Sequence, residues 1–147
     1  MSLKTSTGVR NGILTTSSLK ALLDTGKLYI YGGAIPAAAD DSIGSATLLL
    51  TVSLSSGGTG ITFATPAVAG VLSKNAGETW SGVVATGGTA TFFRWKMTGD
   101  TDALSTTALR LQGIVAAVGG DINLTSTLLV AAATQTIDFF QIGQPTA

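Results

Sequence analysis

Two carboxylate pairs are the first residues in this chain whose types and spacing could do chemistry: Asp100-Thr101-Asp102, in a turn after an alternating segment, and Asp40-Asp41, which follows Ala37-Ala38-Ala39. A D-x-D pair in a turn can offer oxygen ligands to Ca²⁺ or Mg²⁺, but these cations take about six or more ligands. Two carboxylates are too few, and a solvated turn is the expectation for Asp100 and Asp102. Asp40 and Asp41, adjacent on an extended chain, should point to opposite sides. A glycosidase pair would need an acid and a base or nucleophile across a sugar cleft, usually lined by aromatic side chains, and the core claims several of the nine aromatics. There is no histidine and no cysteine. The commonest general base, the commonest transition-metal ligand, thiolate chemistry and disulfides are therefore all missing. No catalytic, cofactor-binding or metal-binding residue is assigned, and the chain is expected not to be an enzyme.

Trp80 and Trp95 could each stack on a sugar or a base. Trp95 alternates with Phe93 and Met97 and belongs to a core, whereas Trp80 follows Gly77 and Glu78 in a turn-like stretch and is the better candidate for a contact residue. If the chain were a glycan-binding module, Trp80→Ala should abolish binding. The glycine pairs Gly57-Gly58, Gly87-Gly88 and Gly119-Gly120 lie outside any phosphate-loop frame and read as hairpin turns. Asn123-Leu124-Thr125 matches a glycosylation sequon by chance.

Composition narrows the partners. Eight Lys and Arg balance eight Asp and Glu, and 11% of the 147 residues are charged, against about 25% in an ordinary domain. Such a surface cannot hold a nucleic acid by neutralising phosphates. Gly, Ala, Ser and Thr replace the missing charge, and their small side chains lose little entropy when packed against a neighbour. No apolar run approaches the ~20 residues that span a bilayer, and the polar N-terminal stretch does not read as a signal peptide; neither a membrane nor nucleic acid is an expected partner.

The elements that must carry these residues change character at residue 27. In 1–26, Leu19, Leu22 and Leu23 recur at helical spacing after Ser17 or Ser18, with Gly26 as a stop. Val9 and Ile13 extend that signal weakly into Thr5 to Thr15, where Gly8 and Gly12 oppose it. This segment is either an arm reaching onto a neighbour, removable to residue 16 without unfolding the rest, or a helix closing one end of the domain. From Lys27 the period is two. Strands are expected at Lys27 to Tyr31, Thr47 to Leu54 (with Leu49 out of phase), Ile61 to Phe63, Val68 to Leu72, Trp80 to Val84, Thr89 to Thr98, Ala108 to Val115, Asn123 to Leu124, Leu128 to Ala131 and Thr134 to Ile142. In Thr89 to Thr98 the Phe93, Trp95 and Met97 side chains form the core face, and Phe92, Arg94 and Lys96 a polar face suited to a contact surface. In the last segment Ile137 and Phe139 face one way and Thr136, Asp138 and Phe140 the other. About eight strands with glycine-containing turns and no intervening helices indicate an all-β antiparallel β-sandwich, jelly-roll-like, over 27–147.

The run Ser6-Thr7-Gly8-Val9-Arg10-Asn11-Gly12-Ile13-Leu14, the segment Ile30-Tyr31-Gly32-Gly33-Ala34-Ile35-Pro36-Ala37, and Arg110-Leu111-Gln112-Gly113 through Asp121-Ile122-Asn123-Leu124 to Gln135-Thr136-Ile137-Asp138 resemble a group of small proteins encoded by tailed phages and prophages. The resemblance covers nearly the whole chain and rests on spacing and turns rather than on a catalytic motif. It implies a virion structural role, with a capsid decoration or cement protein as the leading subtype. Its partners would be the major capsid protein and further copies of itself, with a homotrimer suggested by phage symmetry. A tail, neck or baseplate component would share the same features, and a receptor- or carbohydrate-binding module is the third alternative.

Overall fold

The computed structural model describes residues 3–144. It opens with β1 (Lys4–Thr5), α1 (Thr7–Thr15) and α2 (Leu19–Leu23), and continues with β2 (Lys27–Gly32), β3 (Thr47–Leu54), β4 (Val71–Ser73), β5 (Trp80–Val83), β6 (Gly88–Thr89), β7 (Phe92–Lys96), β8 (Arg110–Ala116), β9 (Ile122–Asn123), β10 (Leu128–Leu129), β11 (Thr134–Ile137) and β12 (Gln141–Gly143). The chain is all-β and antiparallel with a short N-terminal helical segment. A main sheet runs β1-β8-β7-β2-β3-β5-β11, with β9 beside β8 in parallel, and two ribbons, β4-β12 and β6-β10, complete the fold. Among the described residues no helix is long and apolar enough to cross a membrane.

The N-terminal segment closes one end of the fold. Ser6 caps α1, accepting from the Val9 N–H at 3.2 Å, and also donates to the Ala108 carbonyl and accepts from the Arg110 N–H. β1 pairs with β8, and Val9 and Leu23 are fully buried. Gly8 and Gly12, unfavourable for a helix in isolation, are what lets α1 lie this close: a Cβ on Gly8 would sit 2.4 Å from the Thr107 carbonyl oxygen, and one on Gly12 would sit 2.7 Å from Leu22. α2 begins at a Ser18 cap, the second of the two serines the spacing allows. Its exit differs from expectation, because Thr25 rather than Gly26 takes the left-handed conformation (φ 69°). Gly26 serves instead to admit the Trp95 indole, which donates to the Leu23 carbonyl at 2.8 Å.

The core lies on one face of the β2-β7-β8 region. Leu28 pairs with Trp95 and Ile30 with Phe93, and Trp95 pairs with Leu111. Over them Phe63, Trp80 and Phe140 form an aromatic cluster: Phe63 stacks on Trp95 with centroids 4.6 Å apart, and Trp80 meets Trp95 edge-on at 5.2 Å. Trp95 is in the core as its alternation requires. Trp80 is there too, with no exposed surface, so the expectation of a contact residue is overturned; its turn-like flank hides a strand start whose first side chain points inward.

Alternation fails where the chain inserts or breaks. In β3 the register against β2 slips between Leu50 and Leu48. Leu49 is thus the extra residue of a bulge, buried (2% exposed) with its carbonyl accepting from Ala85 and Thr86, while Leu48, expected on the core face, is 39% exposed. The expected strand Thr89 to Thr98 is two strands serving different sheets, β6 on β10 and β7 on β2 and β8. Likewise Thr134 to Ile142 divides into β11 on β5 and β12 on β4, and the break reverses parity: Phe140 is buried and Phe139 is 71% exposed, the opposite of the expected faces. With these two divisions, the unexpected β1, and Ile61 to Phe63 reduced to an isolated bridge at Phe63, the described residues form twelve short strands. The glycine pairs divide too. Gly57-Gly58 lies in a tight turn closed by Leu54 N–H to Thr59 O, whereas Gly87-Gly88 joins strands that do not pair and Gly119-Gly120 lets β9 return parallel to β8.

Ser6→Ala should lower stability by about 2 kcal/mol in urea unfolding, since it removes a helix cap and strands two buried N–H groups together. A chain lacking residues 1–16 should lose cooperative unfolding altogether, rather than leave a folded β domain.

Candidate functional site

The residues with chemical potential are gathered on the second face of β2-β7-β8, where the sequence predicts a polar contact surface and a solvated turn. Neither is found. Arg94, Lys96, Arg110, Gln112 and Asp102 are all buried, Arg94 with no exposed surface. Cross-strand register assembles them, Arg94 opposite Gln112 and Lys96 opposite Arg110, and the loops 33–46 and 97–109 lie across them. Arg110 grips the Asp100 carboxylate bidentately, with both N–H···O distances 2.6 Å. Asp102 accepts from Arg94 Nη1 at 3.3 Å, from the Tyr31 hydroxyl at 2.5 Å and from Lys96.

Three cations meet two carboxylates there, and the Gln112 amide oxygen, which accepts from Arg94 Nε at 2.9 Å, and backbone carbonyls take other donors. Arg94 donates to Asp41 O (2.6 Å), Arg110 to Ala103 O (2.8 Å), Lys96 to Asp100 O (3.1 Å) and Gln112 to Pro36 O (2.8 Å). Among the described residues no buried side-chain nitrogen or oxygen lacks a hydrogen-bond partner. Asp102 holds a left-handed backbone (φ 61°), which Asp tolerates better than most residues, with its N–H on the Asp100 carboxylate at 2.9 Å. Burial raises the Tyr31 phenol far above its ordinary range, and the hydrogen bond to Asp102 adds to that. For Asp100, burial pushes the carboxyl up, but hydrogen bonds from Arg110 and the Asp102 N–H outweigh it and leave the carboxyl below its ordinary range. Every oxygen of this set is turned onto a fixed protein donor, so the arrangement clamps loops and presents no group to a substrate.

Asp40 and Asp41 are likewise used locally. Asp40 accepts from the Thr7 N–H (2.8 Å) and hydroxyl (2.5 Å) at the start of α1, and Asp41 accepts from the Ala38 N–H (2.9 Å). Glu78 accepts from the Trp80 indole at 2.9 Å and from the Thr62 N–H and hydroxyl. Among the described residues no three acidic side chains come together as a metal group.

What the structure offers instead is a groove of about 810 Å³ between the two ends of the main sheet. Leu3 and β9 with its flanks (Gly120 to Thr125, including Asp121 and Asn123) form one wall; β11 and the following Asp138-Phe139 form the other, with Gln141 of β12. Asn123, Thr125, Thr134, Thr136, Asp138 and Gln141 are exposed along it, and no Lys or Arg lines it. Asp121 is tied to the Ile114 N–H at 2.9 Å. The sequence pattern hid this site because strict alternation puts Phe139 on the face of Ile137, which is buried. Two adjacent aromatics on the last extended segment carried the signal, since only one of them can enter a core from one side.

The lowered Asp100 carboxyl predicts an acid-sensitive fold. A depressed folded-state carboxyl stabilises above its unfolded value and stops doing so as pH falls through its folded value. Urea midpoints should therefore hold from pH 7 to about 5 and drop below about pH 4. Asp100→Asn should flatten that drop, and Asp100→Ala should cost about 3–5 kcal/mol at pH 7 because it leaves Arg110 buried and unpaired. Comparison of the chain with protein-family models, curated proteins and solved structures gave no match.

Proposed function

We propose that this chain is a non-enzymatic structural protein of a tailed-phage particle, a capsid decoration or cement protein that binds the major capsid protein across capsomer boundaries, alone or with further copies of itself. The observation that carries this reading, beside the sequence resemblance, is how the charge is distributed. Arg94, Lys96 and Arg110 are withdrawn into the clamp, which leaves Lys4, Arg10, Lys20, Lys27 and Lys74 as the remaining cations. The outer surface is consequently even less charged than the composition suggests. It carries small polar residues and separate exposed apolar side chains, among them Leu14 (81% exposed), Leu104 (71%) and Val118 (89%). Such a surface loses little hydration and little side-chain entropy on contact, which favours association with a neutral protein lattice over recognition of a charged polymer.

Stabilisation of a shell would follow from mass action. A protein that binds only the assembled lattice adds roughly RT ln(1 + [L]/Kd) per site, and many identical sites act together. The loop clamp suits this task, because a surface that is already rigid has less order left to lose on docking.

Quantitative mass spectrometry of purified particles, with the major capsid protein as internal standard, tests the assignment. A copy number in fixed proportion to the shell protein is the expected result. A small number set by tail symmetry would move the chain to the tail, neck or baseplate, and absence from particles would overturn the virion reading.

A further inference from the structure

The groove between β9 and β11 sets hydroxyl, amide and carboxylate side chains beside one exposed aromatic ring. Phe139 stands on its rim with 71% of its surface exposed, although the chain buries its other phenylalanines and both tryptophans. An aromatic face left in water beside a groove offers a stacking platform for an apolar ring face. The lining beside it is hydroxyl, amide and carboxylate. Thr125, Thr134, Thr136 and Asp138 have no side-chain hydrogen bond to protein among the described residues, and the Gln141 side chain uses only its amide N–H, toward Ser73. These groups are therefore available as donors and acceptors at several points along one face.

The ligand class follows from what is missing as well as from what is present. With Asp121 and Asp138 in the lining and no Lys or Arg, the groove would repel phosphate, sulfate and carboxylate. Its volume, about 810 Å³, falls within the ordinary range for small-molecule sites and is larger than one sugar ring requires. A neutral pyranose oligosaccharide meets all three constraints: hydroxyls for the polar wall, an apolar ring face for Phe139, and no negative charge. We infer that the β9–β11 groove binds a neutral oligosaccharide, with Phe139 stacking on a sugar ring and Asp138, Thr134 and Thr136 taking its hydroxyls. This site is independent of the capsid assignment, and either can fail without the other.

The test is an NMR titration of the full chain with maltohexaose, the β-1,4-linked tetramer of N-acetylglucosamine, and a mannose oligosaccharide, using a heparin fragment as anionic control. At least one neutral probe should shift the amides of Asn123, Thr136, Asp138 and Phe139, saturating near about 1 mM, a weak but specific affinity. Phe139→Ala should weaken that binding by about three- to tenfold, the scale of one lost stacking face. Leu104→Ala, which removes an exposed apolar side chain outside the groove, should leave it unchanged; both variants should keep the wild-type near-UV circular dichroism. No groove shift with any neutral probe would overturn the inference. So would shifts that survive Phe139→Ala, or equal binding of the heparin fragment.

Discussion

The bidentate pair between Arg110 and Asp100, with Asp102 held between Arg94 and Lys96, is the interaction on which the rest of this fold depends. A central strand with large side chains on both faces must have both faces covered. On one side of β7 the cover is apolar and comes from Phe63, Trp80 and Phe140. On the other it is two irregular loops, held largely by polar contacts to the clamp. Buried guanidinium and ammonium groups can hold several points of loop backbone because each carries several donors, and each of their nitrogens finds an acceptor oxygen. Ion pairs of this sort are weak evidence of net stability, since desolvation cancels much of the attraction. Their effect here is positional: they give loops without regular structure one conformation.

That position propagates to the N-terminal segment. Arg110 and Ala108 share Ser6 with the start of α1, and Asp40, on the same clamped loop, caps that helix through Thr7. Loop, helix and sheet are therefore tied to one another directly by hydrogen bonds. The indole of Trp95, on the opposite face of the same strand, ties the end of α2 to the core. β7 is thus the point where the polar clamp, the aromatic cluster and the N-terminal helices meet.

The sheet does not close on itself. Its ends at β9 and β11 leave a groove, and strand ends without partners are ordinarily kept short to avoid unwanted pairing. β1 and β9 have two residues each and β11 has four, and the Gln135 side chain donates to the Thr136 carbonyl on that edge. An edge blunted in this way resists an added strand.

Local signals were legible in the sequence wherever they depend on nearest neighbours. The change of period at Lys27, the Ser18 cap, the core face Leu28, Ile30, Phe93 and Trp95, and the absence of histidine and cysteine chemistry all follow from residue type and spacing. The out-of-phase Leu49 was visible as an anomaly, though not as a bulge. Tertiary structure alone decided that neither side of β7 faces water, because alternation marks a polar face without saying whether loops far along the chain will cover it. It turned Asp100 and Asp102 from a solvated turn into buried partners of arginines set by strand register, drew Trp80 inward, and reversed Phe139 and Phe140 at a strand break. Period and propensity act over a few residues, whereas burial of a charge or an aromatic ring is settled by whichever distant segment packs against it.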